Sequence, residues 1–447
     1  MSKPSRVPAS SSPHSAPAGL ERDPSDAERS MKRVAAASMI GTAVENYDFF
    51  IYGTAAALVF NTLFFPGDDP AVATIATFAV FATGFLARPL GGAILGHFGD
   101  RIGRKAILVL TLLMMGIATV AIGLLPTHAA IGVWAPILLV ALRLIQGLAA
   151  GGEWAGAALL TVEHAPAGRR GFYGGFTQVA IPAAFVLANL VFLVLTATLT
   201  DQQLVSWGWR VPFLLSTVLI VAGLIIRSKV EETPAFTGLK ESTDHTRAPF
   251  LAVWRRHTGA IVLTALAVSA TTAIGYIKNV YVLSYATHTL GVDRSWLVAA
   301  IVGNAVLEIV LTMTWARWSD RIGRKTVFVI GGVLSALWAF PFVLLLDTAS
   351  VPLIALALVG TGIGSTAMFA PLAALLAEKF SVEVRYTGAS MGYQIGSILG
   401  GGFAPLIAAA LFAATGSTLS IAAYMVVLCL ISLGAIQAIG ETRARTL

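Results

Sequence analysis

Along most of this chain polar and apolar residues do not alternate; the apolar ones run together. Between residues 34 and 440 there are twelve mostly apolar stretches: 34–60, 72–97, 106–125, 134–162, 172–198, 209–227, 259–288, 295–317, 326–347, 351–378, 387–413 and 418–440. Crossing about 30 Å of hydrocarbon takes roughly 20 helical residues. In that medium every backbone N–H and C=O must be satisfied within its own segment, which favours helices. The pattern therefore predicts an all-α membrane protein with twelve transmembrane helices.

The composition agrees: 56% hydrophobic against 12% charged residues would cover the surface of a soluble fold too thinly. The distribution of charge adds an orientation. With the N-terminus inside, inside segments hold 25 of the 30 Lys and Arg, outside loops hold only Arg210 and Arg294, and Arg88, Arg143 and Lys278 fall within spans. Basic residues are retained on the cytoplasmic side, so both termini are expected in the cytoplasm. Residues 1–33, rich in Ser and Pro, read as a disordered tail rather than a signal peptide. Residues 228–258 read as a cytoplasmic linker between six-helix bundles at 34–227 and 259–440, and 441–447 as a second tail. The net charge of +7 is scattered between apolar spans, which argues against nucleic acid as a partner. A small-molecule substrate and membrane lipid are the expected partners, with the monomer as the working unit.

The two halves repeat. GHFGDRIGRKAI follows the second span and ARWSDRIGRKTV the eighth, with Asp100 and Asp320 220 positions apart (320 minus 100). Duplicated halves are a transporter signature. In these loops Gly96, Gly103 and Gly323 permit close approach, and an aspartate is favoured at a helix N-terminus. Arg101, Arg104 and Lys105, with Arg321, Arg324 and Lys325 in the second copy, are placed to pair across the seam between the halves. The expected role is a latch that opens during a transport cycle; the plainer alternative is a positive-inside anchor. Gly147, Gly151 and Ala155, and Gly388, Gly392, Gly396 and Gly400, form small-residue stripes expected to be packing seams.

Seven ionisable residues fall inside spans: Glu45, Asp48, Arg88, Arg143, Glu153, Lys278 and Glu308. At roughly 3 kcal/mol each, leaving them all unpaired would cost on the order of 20 kcal/mol, more than a fold's typical stability. They are expected to be paired, neutralised or set against a wet cavity. Four are acidic and three basic, so at least one carboxyl lacks a permanent partner and is a candidate for proton exchange. Glu45 and Asp48 lie one turn apart and lead that group, with Glu153 and Glu308 behind them; a fixed ion pair with Arg143 is the alternative. Arg88, ahead of Pro89 where a bend is expected, Arg143 and Lys278 are candidates for binding a substrate carboxylate, accompanied by Tyr52 and Gln146. The lone Cys429 excludes an intrachain disulfide framework, and His97, His164, His245 and His257 show no metal-ligand spacing. No cofactor is expected beyond the proton as coupling ion. TGIGST at 361–366 lies inside an apolar span and reads as helix packing rather than a phosphate loop.

The Gly-x-x-x-Asp-Arg-x-Gly-Arg-Lys loop resembles the signature of the major facilitator superfamily. GTAVENYDFFIYG (41–53), GGEWAGA (151–157), GWRVPFLLS (208–216), EETPAF (231–236) and RYTGASMGYQIGSILGGG (385–402) resemble its metabolite:proton symporter family, which contains shikimate, α-ketoglutarate, citrate and proline/betaine carriers. The resemblance implies two pseudo-symmetric six-helix bundles and proton-coupled uptake of a small polar metabolite, an organic acid or zwitterion, by alternating access. Asn46 stands where the family usually has Trp, and alanines stand in 176–185 where glycines are usual, so no particular family substrate carries over. An exporter of the same fold is the alternative. An enzyme is not expected, for lack of a nucleophile with an adjacent base or a soluble catalytic domain.

Overall fold

The computed structural model describes residues 39, 42–43, 46–67, 69–102, 104–151, 153–166, 168–229, 250–381 and 384–443; for 93, 96–102, 104–108, 153–155, 223, 225–229 and 250–256 it describes the backbone alone. The expected N-terminal tail, Glu45, Gly103, most of the 228–258 linker and residues 444–447 lie outside the described residues, as do the side chains of Asp100, Arg101, Arg104, Lys105 and Glu153.

Among the described residues there are twelve main helical segments, with short helical pieces at His128–Ile131 and 201–208 between them, and no strand. We label them α1 (46–64), α2 (Pro70–Ile102), α3 (Arg104–Leu124), α4 (Trp134–Ala150 and Glu153–Glu163), α5 (Arg170–Thr198), α6 (Arg210–Lys229), α7 (Phe250–Tyr276 continuing to His288), α8 (Arg294–Ile322), α9 (Arg324–Leu346), α10 (Val351–Phe369 and Leu372–Lys379), α11 (385–415) and α12 (Leu419–Ile439). Two expected single spans, 134–162 and 351–378, are each broken. The first breaks at Gly151, and the second at Pro371, which has no N–H to continue the helical ladder. At Pro89 the outcome is the reverse: α2 runs through it as one helix. Four π turns occur among the described residues, at Ala56–Phe60 in α1, Leu204–Gly208 ahead of α6, Ile277–Tyr281 in α7 and Ile398–Gly402 in α11.

Eight of the helices are long and apolar enough to cross a membrane, and Asp201–Gly208 with Arg210–Ala222 makes a ninth bent by 44°; Val109–Leu124 and Trp134–Ala150 are shorter apolar helices. Large apolar side chains such as Ile117, Val218, Leu337 and Leu430 stand exposed on the outside of the bundle, where lipid is the medium that suits them.

The packing repeats with the sequence. In the first half α2 packs on α4 and α3 on α6; in the second α8 packs on α10 and α9 on α12, each pair displaced by six helices. The halves meet along α5 with α8 and along α2 with α11, again a symmetric set. Small residues make these approaches possible. A Cβ on Gly147 would lie 2.1 Å from the Gly84 carbonyl oxygen, and one on Gly400 2.1 Å from that of Ser269. The two glycine stripes are therefore seams, α4 against α2 and α11 against α7.

Candidate functional site: a cavity between the halves

A cavity of about 100 Å³, room for a few waters or a small solute, lies where α1, α2 and α5 face α7, α8, α10 and α11. Six aromatic rings stand in its wall: Phe50, Phe85, Phe185, Tyr276, Phe369 and Tyr393. Into this apolar shell project Arg88, Lys278 and Glu308, with Asn46, Asn279 and Thr312.

Arg88 is 9% exposed. Its guanidinium carbon stands 4.0 Å from the centroid of Phe49 and 4.4 Å from that of Phe85, and its Nε has no hydrogen-bond partner among the described residues. It makes no ion pair among the described residues, and the two ring faces are favourable neighbours for its charge. Across the cavity Lys278 and Glu308, 2% and 6% exposed, form an ion pair between α7 and α8. Asn304 Nδ2 donates to Glu308 Oε1 at 2.8 Å. Lys278 and Asn279 sit in the α7 π turn, where the extra residue redirects side chains that a regular helix would place elsewhere. That turn carried no sequence signal we could read.

Arg143, Tyr52 and Gln146 are not in the cavity wall. All three are fully buried behind it. Arg143 lies 3.9 Å from the Tyr52 ring centroid and donates to Gln146 Oε1 at 3.0 Å and to the Phe81 carbonyl at 3.2 Å. Gly84 leaves it room, since a Cβ there would stand 2.9 Å from its Nη2. Gln146 in turn donates to Thr119 Oγ1 at 2.7 Å. Asp48, 6% exposed, accepts from Ser216 Oγ at 2.9 Å. Thr119 Oγ1, which accepts the Gln146 bond, donates to the Met115 carbonyl at 2.9 Å. The alternative of a fixed Asp48–Arg143 ion pair is not formed among the described residues: Arg143 hydrogen-bonds Gln146 and the Phe81 carbonyl, and Asp48 takes Ser216. Thr119 and Ser216 had no distinguishing pattern in the sequence.

The second copy of the repeated loop lies at one end of the seam. Asp320 Oδ1 and Oδ2 accept from the backbone N–H groups of Gly171 and Phe172, both at 2.8 Å, in the first turn of α5 in the opposite half. Unsatisfied N–H groups and the helix dipole favour an anion there. Arg324 pairs with the same carboxylate at 2.7 Å and with Glu378 at 3.2 Å. Arg385 reaches across to Glu163 at 2.9 Å, and Gln178 to the Phe369 carbonyl at 2.7 Å. Gly323 takes φ +104° between α8 and α9, and Glu441 accepts there from the N–H groups of Arg324 and Lys325. Arg443 donates to the Arg321 carbonyl. Glu163, Glu378, Arg385 and Glu441 were not among the residues expected. Each lies at a helix end, where an apolar-span argument is silent. At the opposite end of the seam the bridging contacts are fewer: Arg294 with Asp201 at 3.2 Å, Ser295 Oγ to the Thr196 carbonyl at 2.7 Å, and a His288 ring nitrogen 3.1 Å from the Ala57 carbonyl oxygen. Contacts between the halves thus occur at both ends of the cavity.

Residues 34–252 match the family model described as "Sugar (and other) transporter", and residues 261–439 that of the "Major Facilitator Superfamily". The chain is 45% identical to the inner membrane metabolite transport protein YhjE of Escherichia coli K12, over 85% of this chain and 88% of that one. It is 41% identical to the shikimate transporter of the same organism, over 90% and 92%, and 33% identical to a glycine betaine/proline/ectoine/pipecolic acid transporter of Dickeya dadantii, over 90% and 82%. Among solved structures it resembles the proton:xylose symporter XylE with a TM-score of 0.75 at 19% identity, covering 94% of this chain and 98% of that one. At that identity the likeness shows the fold: two six-helix halves around a central site. The chain is therefore a multi-pass membrane transporter, not an enzyme, and it belongs to the major facilitator superfamily, among that superfamily's metabolite, shikimate and proline/betaine transporters.

Proposed function

We propose that this transporter takes up a small polar metabolite bearing a carboxylate, together with a proton, by alternating access. The observation that carries the reading is the cavity between the halves, in which Arg88 presents a buried guanidinium without a carboxylate partner among the described residues. Guanidinium geometry suits bidentate carboxylate binding, and the aromatic wall suits the apolar body of a small metabolite. Relatives named for shikimate and for proline and betaines carry cargoes of that description. Proton coupling is supported by Asp48, a buried carboxyl held by the Ser216 hydroxyl rather than a cation. In the proposed cycle it carries charge while water reaches it and takes a proton when the gap closes. The face carrying the repeated loops is placed in the cytoplasm, with both termini, on the distribution of Lys and Arg.

Purified protein in liposomes tests this with radiolabelled shikimate, proline and glycine betaine under an imposed inward proton gradient. For a cargo of no net charge, such as proline or glycine betaine, a proton moving down 100 mV supplies about 2.3 kcal/mol, enough for roughly fifty-fold accumulation. An organic anion entering with one proton moves no net charge and draws on the pH difference. Accumulation of one of the three should collapse with a protonophore. Asp48→Asn should keep exchange of labelled for unlabelled cargo and lose accumulation. Concentrative uptake indifferent to the protonophore would refute the coupling, and transport only in the outward direction would assign an exporter.

A further inference from the structure

Arg88 and Glu308 are also 220 positions apart (308 minus 88), the interval that separates the two signature aspartates. They occupy equivalent places in the second helix of each half, both line the same cavity, and they carry opposite charge. Among the described residues the wall thus holds two cations, Arg88 and Lys278, against one anion. Lys278 is occupied by Glu308, while Arg88 has no carboxylate partner among the described residues.

A buried ion pair in a cavity wall is weak evidence for stability, because the desolvation of both charges offsets most of their attraction. The surroundings here accommodate the carboxylate without committing it. Helix α10 turns Gly362 toward it, where a Cβ would stand 3.1 Å from Glu308 Oε1, and Asn304 on its own helix can donate to it as a carboxylate or as a neutral acid. The charged and titratable groups facing Glu308 are Lys278 from α7 and, across the cavity, Arg88 from α2, Tyr276 from α7 and Tyr393 from α11. Helix α5 contributes Ile181, Pro182 and Phe185 to the same wall.

We propose that Lys278–Glu308 is an exchangeable pair. A proton taken by Glu308 frees the Lys278 ammonium, which then holds a carboxylate of the cargo within reach of Arg88. The wall changes by one positive charge when the proton arrives and by one negative charge when the carboxylate does. Proton and organic anion therefore enter together because each removes the electrostatic cost of the other. This rests on the transport reading above and adds a second protonatable residue beside Asp48, the one whose proton is taken up as cargo binds, and the chemical group it recognises.

The test is calorimetric binding of shikimate, proline and glycine betaine, and of the primary carboxamide of whichever binds, to purified protein at pH 5.5 and pH 8. Titrations in buffers of different ionisation enthalpy count the protons taken up. Wild type should bind the carboxylate at least tenfold more tightly at pH 5.5, take up a proton as it does so, and leave the carboxamide at least tenfold weaker. Glu308→Gln should bind at both pH values with the tight constant and no proton uptake. Lys278→Gln leaves Glu308 buried without a partner, so the paired variant Lys278→Gln/Glu308→Gln serves beside it; both should lose at least tenfold in carboxylate affinity. Retained pH dependence and proton uptake in Glu308→Gln would overturn the exchange, as would wild-type affinity in the paired variant or equal binding of carboxylate and carboxamide. A protein that binds none of the three carboxylates at either pH would overturn it too. Protonophore-sensitive accumulation that persists undiminished in Glu308→Gln would overturn this inference while leaving proton-coupled uptake in place; loss of protonophore sensitivity in wild type would remove the broader reading.

Discussion

Replacing Asp320 by asparagine should shift the conformational balance of the transporter more than it shifts its folding. The aspartate accepts two backbone N–H bonds from α5, each 2.8 Å long, and these exist only while the two halves are together at the loop-bearing end. Hydrogen bonds to charged groups contribute about 1.5–3 kcal/mol each, neutral ones about 0.5–1.5 kcal/mol. Asparagine keeps one carbonyl acceptor and turns an NH₂ toward the second donor. The closed state should therefore lose about 2–4 kcal/mol relative to the opened one, a shift of roughly one and a half to three powers of ten. Arg324 keeps Glu378 as a partner, so the substitution does not strand a buried cation. Spin labels at His164 and Ser381, both exposed and on opposite halves, in a Cys429→Ser background would report the separation by pulsed electron resonance. A longer-distance population should appear or grow in Asp320→Asn. A distribution identical to the parent's would show that the α5 contact does not hold this end closed.

Other expectations follow from the same geometry. Gly400→Val should lower the thermal midpoint in detergent, because overpacking against the Ser269 carbonyl and Thr272 costs about 1–3 kcal/mol or more. Gly275→Leu, at a cavity-lining position where a Cβ meets open space, should leave the midpoint near the parent's and abolish cargo binding; a thermal midpoint lowered as far as that of Gly400→Val would place residue 275 in a packed seam instead. Arg143→Lys should impair exchange transport even though charge is retained, since an ammonium cannot both cover Tyr52 and reach Gln146 and the Phe81 carbonyl as the planar guanidinium does. Unimpaired exchange would mean that these Arg143 contacts are dispensable.

How far the sequence carried depends on which force was speaking. Twelve spans were legible because burial in hydrocarbon demands long apolar runs, and the ends of α8 and α12 fall close to expectation. The seams were legible because close helix approach demands small residues at regular spacing. The breaks in α4 and α10 were missed because hydropathy averages over a single Gly or Pro. In the site, residue type marked the ionisable side chains but not the direction each faces. Arg88 and Arg143 look equivalent in the sequence, yet one lines the cavity and the other stacks behind it on Tyr52. The partner of each charge was also out of reach. Asp48 takes Ser216 from α6, and Lys278 takes Glu308 from α8, contacts set by tertiary packing across 168 and 30 positions respectively.

The two ends of the seam differ in kind, and that difference predicts which way the empty transporter leans. At the loop-bearing end Asp320, Arg324 and Glu378 are buried and satisfy one another and the α5 N-terminus. At the other end the charged contact is Arg294 with Asp201, whose side chain is 84% exposed; such pairs contribute about 0–1 kcal/mol and are screened by salt. Opening the second end therefore costs less, and an unloaded transporter should dwell with the Arg294 side open and the Asp320 side shut. In the proposed orientation, with the loops in the cytoplasm, that would be the posture of an importer waiting for cargo from outside. Asp201→Ala should consequently leave exchange transport nearly unchanged and its residual effect should vanish at high salt, whereas Asp320→Asn should remain impaired in the same salt. Equal sensitivity of the two variants, or a larger loss in Asp201→Ala, would reverse the assignment of the stronger latch and with it the physical reason for uptake rather than export.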